Sequence, residues 1–197
     1  MARLKAFDED GVLDQAVDCF WSRGYEATSV RDLADAMGIG GASLYNTFGD
    51  KRALFTRSLE RYANRSMRER IARLEASNRP KEAIEAFLAE IVDRSVGDPD
   101  RRGCLLVNSA LDVAPHDAAI GKVIGGYLDE IRAFFRRNIE AARKAGQVPR
   151  RLDPEAASGH LLGVLLGIRV LARTGAKRKL LENVAQPALD LLGGKSR

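Results

Sequence analysis

Apolar residues return at three- and four-residue intervals along almost the whole chain, and no segment alternates apolar with polar. That spacing gathers side chains on one face of a helix and cannot line one face of a strand. Val12, Leu13, Ala16, Val17, Phe20 and Trp21 trace a first helix, Val30, Leu33, Ala34 and Met37 a second, Leu44 and Phe48 a short third. Leu54, Phe55, Leu59 and Tyr62 open a long fourth; Ile120, Ile124, Leu128, Ile131, Phe135 and Ile139 stripe a later one. Leu, Ala, Arg and Glu dominate while aromatics are few, which favours helix over sheet. The pattern predicts an all-α fold of about nine helices, with an N-terminal helix-turn-helix head on a larger helical body.

Capping chemistry divides these stripes. Asp8 is placed to cap the first helix through its carboxylate, with Phe7 stapled onto Val12, and Gly24 ends it. Ser29 and Asp32 have the spacing of a capping box for the second helix, which stops at Gly38. Gly40-Gly41 precedes the third. Asp50 caps a long helix over 50–77, about 42 Å at 1.5 Å per residue, ended by Asn78-Arg79-Pro80. Further helices are expected over 80–96, 103–113, 118–145, 154–173 and 177–192, with Asp153-Pro154 opening the fourth of these and Pro187 bending the last.

Composition excludes several classes. Of the 197 residues 45% are hydrophobic and 30% charged, enough core and enough solvated surface to rule out disorder. No stretch is expected to span a bilayer, since the richest run, 161–171, is short and contains Arg169. The start of the chain leads into Asp8-Glu9-Asp10 rather than an apolar signal core, and Cys19 and Cys104 make no disulfide framework; a cytoplasmic location is expected. His116 and His160 stand alone, and no nucleophile elbow, phosphate loop or dinucleotide fingerprint is present, so neither a metal, a cofactor nor an enzyme is indicated. Net charge is +5, yet residues 1–55 carry six Lys and Arg against nine Asp and Glu. Charge alone does not mark the head as a nucleic-acid reader.

Residues 30–48 carry the sharpest motif. Ala34 is small where two helices cross, Gly38 suits a turn of positive φ, and Leu33, Met37, Ile39 and Leu44 fix one helix against the other. An ordinary αα-hairpin has the same spacing. The outer side of the third helix, Ser43, Tyr45, Asn46 and Thr47, consists of short or flat hydrogen-bonding side chains suited to phosphates and base edges.

The run from Phe20 through Gly24-Tyr25 and Thr28-Ser29-Val30 to Leu33-Ala34 resembles the TetR family of transcriptional regulators. Met37-Gly38-Ile39 and the run from Ser43-Leu44-Tyr45 through Phe48-Gly49-Asp50-Lys51 to Phe55 are similar to it as well, so that the likeness covers nearly all of residues 7–60. The resemblance implies a homodimeric repressor that binds a palindromic double-stranded DNA operator and is released by a small-molecule effector. It implies a DNA-binding head over 1–55 and an effector-binding and dimerisation body over 56–197. By position it places phosphate contacts on Thr28, Ser29, Tyr45 and Lys51, and base reading on Gly41, Ala42, Ser43, Asn46 and Thr47. Gly40-Gly41-Ala42 departs from relatives with long polar side chains there, which shifts weight toward DNA shape or close backbone approach. Arg57, Arg61, Arg65 and Arg68 read mostly as a solvated stripe, with Lys51 and Arg52 on DNA.

In the body, residues 161–171 are apolar nearly all round, and Gly159, Gly163 and Gly167 leave a stripe without side chains. With the last helix this predicts a four-helix dimer interface of Gly163, Gly167, Leu171, Leu181, Val184 and Ala188; a core within one chain is the alternative. Phe87, Ile91, Cys104, Leu105, Asn108, Tyr127, Ile131 and Phe134 are candidates for an effector pocket, with Asn108 and Tyr127 as polar anchors. Cys104, beside Arg101 and Arg102 and close to a helix start, is either a thiol sensor or an inert buried cysteine. The rival readings are a constitutive or thiol-redox-responsive DNA binder and a helical small-molecule carrier.

Overall fold

A computed structural model describes residues 8–193. The helices are α1 (Glu9–Arg23), α2 (Val30–Met37), α3 (Gly41–Phe48), α4 (Lys51–Ala63), α5 (Glu69–Ser77), α6 (Pro80–Val96), α7 (Leu105–Asp112), α8 (Ala118–Lys144), α9 (Pro154–Arg173) and α10 (Arg178–Leu191). A π-helical turn, Asn64–Arg68, joins α4 to α5. Counted as one rod, these three pieces leave nine helices and no strand among the described residues. The expected unbroken α-helix over 50–77 is thus corrected in its middle. The wide turn changes the direction of its side chains: Arg65 meets Asp14 on α1, whereas Arg68, three residues on, meets Glu130 on α8.

Most caps follow the sequence. Ser29 and Asp32 form the capping box of α2, Asp50 accepts from the Ala53 N–H at 2.7 Å, and Asp153 accepts from Glu155 and Ala156. Asp8 sits at the N-cap of α1 without a side-chain bond to it, which corrects the carboxylate cap; Phe7 lies outside the described residues. α2 ends at Gly38, whose φ of 64° is the left-handed conformation that only glycine adopts without strain.

One continuous core runs from Val12 to Leu192. In the head, Phe20 meets Phe55 edge-on at 4.9 Å and Tyr25 packs on Phe55 at 4.6 Å, so the start of the rod belongs to the head's core. In the body α8 lies along α9, with α10 and α6 closing the other sides. The rings of Phe87, Phe134 and Phe135 form its centre, with centroids 5.1 to 5.5 Å apart. α9 is long and apolar enough to cross a membrane by composition, contrary to the expectation that no segment would be. It is a packed helix instead, with Arg169 buried and donating to Ser95, but only 39% of its apolar window is covered by its own chain.

Candidate DNA interface

Leu44 and Phe48 point inward from α3 and fix which of its faces is free. On that free face Tyr45 is 53% exposed, Ala42 and Asn46 are exposed, and Ser43 and Thr47 are half-buried. At its start the backbone lies open. Gly40 has an ordinary φ of −70°, and a Cβ built on either Gly40 or Gly41 meets no atom within 4 Å. Neither glycine is required by a turn or by packing within the chain. What they permit is close approach from outside.

Lys51, the first residue of α4, holds its ammonium 4.3 Å from the centre of the Tyr25 ring, beside the start of the rod. Thr28, expected on a phosphate, is placed elsewhere, and Ser29, though exposed, is engaged within the head. Thr28 is fully buried and donates its hydroxyl to the Gly24 carbonyl at 2.6 Å, closing the loop between α1 and α2. The Ser29 hydroxyl is engaged with Asp32, donating at 2.5 Å and accepting from its N–H at 3.1 Å. The Ser29 hydroxyl and N–H, with Arg23 beyond them, hold the Asp32 carboxyl down at about 2. Arg52, itself exposed, pairs with Asp117 at the start of α8.

The arginine stripe is partly solvated, with Arg57 and Arg65 exposed and Arg61 and Arg68 half-buried, but every member is engaged in an ion pair. Arg57 pairs with Glu9, Arg61 with Asp10 and Asp14, Arg65 with Asp14, and Arg68 with Glu60 and Glu130. These pairs account for three of the head's nine carboxylates, Glu9, Asp10 and Asp14; Asp32 and Asp50 are occupied as caps, and the outer face of α3 carries no charge at all.

The eight effector candidates fall in separate places. Phe87, Ile91, Ile131 and Phe134 are core, and Phe87 stacks on Phe134. Tyr127 donates to Glu60, and Asn108 donates to the Arg102 carbonyl at 2.8 Å, so both polar anchors already have partners. Leu105 and Asn108 border a small cleft of about 80 Å³ against the end of α1, and Cys104 is the half-buried N-cap residue of α7. Of the interface candidates, Gly163 and Gly167 have open space above them, and Leu171 and Val184 are half-buried. Leu181 and Ala188 are interior to the single chain, which corrects their assignment. The open side of α10 is offset by one residue and carries Leu180, Val184, Pro187 and Leu191.

Sequence reasoning missed the Arg52–Asp117 pair, the rod's link to α1, and a nearly buried Arg70 on α5. All three depend on partners distant in the chain, and a lone arginine in a helical stripe gives no sign of its burial.

The chain matches the family model described as bacterial regulatory proteins, tetR family, over residues 12–57, and the tetracyclin repressor-like C-terminal domain over residues 80–187. The chain belongs to the TetR family. It is 31% identical over 194 residues to the HTH-type transcriptional regulator YezE of Bacillus subtilis (strain 168), covering 98% of this chain and 100% of that protein. The HTH-type transcriptional repressor ComR of Escherichia coli (strain K12) is 28% identical over 190 residues, covering 96% and 90%. Among solved structures, a cysteine mutant of the TetR family transcriptional regulator CifR, complexed with 26-base-pair operator DNA, superposes with a TM-score of 0.85 at 34% identity, covering 95% of this chain and 98% of that one. Membership accounts for the small helix-turn-helix head on a larger helical body.

Proposed function

We propose that this TetR-family chain is a repressor that acts in the cytoplasm as a homodimer on a palindromic operator and is released by a small-molecule effector. Residues 1–55 form the reader and 56–197 the sensing and dimerising body. The observation that carries the reading is the outer face of α3: an uncharged surface of Ser43, Tyr45, Asn46 and Thr47, preceded by two glycines that nothing inside the chain requires. Such a face admits a duplex closely and reads it through hydrogen bonds and shape rather than through charge. Lys51 and Tyr45 supply phosphate contacts at its edge. The operator complex of CifR, at 34% identity, supports the same use here.

Dimerisation uses the open sides of α9 and α10. Gly163, Gly167 and Val170 follow one another on α9, and Leu180, Val184 and Leu191 on α10, leaving an apolar surface that water would otherwise cover. Pairing through this surface places two α3 helices on one duplex, and half-sites about 34–36 Å apart match successive major grooves.

Selection of duplexes from a random pool by the purified protein tests the reading. The expected product is a palindrome bound by two protomers. Recovery of no preferred sequence would overturn it. A compound that raises the melting temperature and also weakens duplex binding separates a sensing repressor from a constitutive one; response to oxidant alone would instead favour a thiol switch.

A further inference from the structure

Three consecutive residues in the loop between α6 and α7 make contacts in different parts of the molecule. Arg101 has a φ of 52°, the left-handed region that a residue with a side chain rarely adopts. Its guanidinium lies against Gly175, just beyond α9, where a Cβ would meet Nη1 at 2.7 Å. Gly103, buried with a φ of 71°, lies against Arg173 in the last turn of α9, and a Cβ there would meet Cγ of that arginine at 2.7 Å. Arg102, between them, reaches the head. Its guanidinium carbon lies 4.1 Å from the centre of the Trp21 ring, and its Nη1 lies 3.5 Å from Asp18, both residues of α1. Side chains of adjacent residues thus join the end of α9 to the head.

The loop is held together mainly by its backbone. The Arg102 N–H donates to Asp98 at 2.7 Å, and its carbonyl accepts from Asn108 at 2.8 Å. The side chain adds one long bond to Asp98, at 3.4 Å, and the contact with α1. That contact matters because the head shares its core with the start of the rod, and the π turn follows directly. A bend at such a turn tilts the head, and contacts made away from the rod resist the tilt with the longest lever. Arg102 makes one of them on α1, and Arg52 makes another by pairing with Asp117. A planar guanidinium stacks on an indole while pairing with a carboxylate, a combination that lysine does not reproduce.

We propose that Arg102 is a positioning residue for operator reading: by holding α1 to the loop, and through the loop to the end of α9, it sets the angle of each head and so the half-site spacing that the dimer accepts. The inference rests on the reading of this chain as a dimer on a palindromic operator. α9 carries the open side assigned there to the partner protomer, so the loop runs from the pairing helix to the head. A small tilt is enough to change the outcome. One base pair inserted between half-sites moves them about 3.4 Å along the duplex and about 35° around it.

The test uses the full-length protein with the selected palindrome, the same palindrome with one base pair inserted or removed at its centre, and a duplex carrying a single half-site. The wild type is expected to prefer the parent spacing by about tenfold or more. Arg102→Met is expected to bind the parent palindrome about three- to tenfold more weakly and to lower the spacing preference to about threefold or less. Its half-site affinity and its log–log salt slope are expected to match the wild type, since no phosphate contact is lost. Arg102→Lys is expected to fall between the two, because it keeps the charge and loses the stack. Asp18→Asn, at an exposed carboxylate, is expected to shift the preference in the same direction with an unchanged melting temperature. A purely structural arginine would weaken all the palindromes and the half-site alike, and a phosphate contact would reduce the salt slope; either result overturns the assignment. An unchanged spacing preference in Arg102→Met overturns it too, and should that variant not fold, an unchanged preference in Arg102→Lys does so. Stoichiometry keeps the two readings apart. Two protomers on the palindrome with an unaltered preference sink the assignment alone, whereas one protomer per duplex sinks the dimer reading and the assignment with it.

Discussion

Arg52 and Asp117 tie the first turn of the rod to the start of α8 through two parallel hydrogen bonds, Nε and Nη2 donating to the two carboxylate oxygens at 2.5 and 2.9 Å. The same carboxylate caps α8, accepting from the N–H groups of Ala119 and Ile120 at 3.0 Å. Arg52 follows Lys51 in the chain, so a shift of α8 reaches the candidate phosphate contact through one side chain. Because the pair is solvent-facing, its effect on stability is small. Arg52→Ala and Asp117→Asn should lower the melting temperature slightly and equally, since asparagine still caps a helix. Asp117→Ala should lower it further. Equal effects of Asp117→Asn and Asp117→Ala in calorimetry would show that the cap contributes nothing.

Tyr45→Ala and Lys51→Ala should each weaken binding to a selected duplex while leaving the melting temperature close to that of the wild type. Loss of Lys51 should reduce the log–log salt slope by about one unit, and loss of Tyr45 by less, since only lysine displaces a counterion. Anisotropy titrations over a range of salt check this; unchanged affinity and slope in both variants rules out the proposed edge of the interface.

Gly41→Ala separates the demands of folding from those of binding. The added methyl group meets open space, and alanine is the better helix former by about 0.8–1.0 kcal/mol in a helix interior, so the fold should be unharmed or slightly stabilised. Duplex affinity should nevertheless fall about tenfold. If affinity is retained, DNA does not approach this backbone closely.

Gly163→Leu and Gly167→Leu should act on association alone, because nothing in the same chain lies within 4 Å of either added Cβ. Overpacking costs roughly 1–3 kcal/mol at a packed site, enough to raise a dimer dissociation constant about tenfold or more. Sedimentation should show monomer at micromolar concentration, and Leu180→Glu should do the same from α10. Persistently dimeric variants with wild-type melting behaviour would place the interface elsewhere.

Acid should loosen the head from the body. Asp14 is held below the usual carboxylate range by Arg61, Glu60 by the Tyr127 hydroxyl, and Asp117 by Arg52. A depressed carboxyl contributes stability that is fully present above its unfolded pKa, about 3.9 for Asp and 4.3 for Glu, and is lost as pH falls through the folded value. These three groups therefore add no pH dependence between pH 7 and about pH 5, and stability should fall below about pH 4. Denaturant titrations at stepped pH check the sign. Asp14→Asn should make the acid-side decline shallower.

The sequence by itself determined most of the helices and their stops, and the family to which the chain belongs. Each of those depends on neighbours within a few residues: Ser29 finds Asp32 three residues on, Gly38 supplies its own left-handed turn, and Leu44 and Phe48 show which side of α3 is free. Tertiary structure alone decided where charge and burial fall. Thr28 is buried because the loop folds onto Gly24; the arginines of the rod face α1 and α8 because a π turn redirects them; and Leu181, not Leu180, is interior because α10 lies against α9 and α6 with that side inward. A period of three or four residues specifies that a face is buried, but it does not say which of two adjacent rows is covered by the same chain and which is left for another. Electrostatic partners are still less legible. Arg52 and Asp117 are 65 residues apart, and no local spacing brings them to 2.5 Å; only the packing of the body against the rod does.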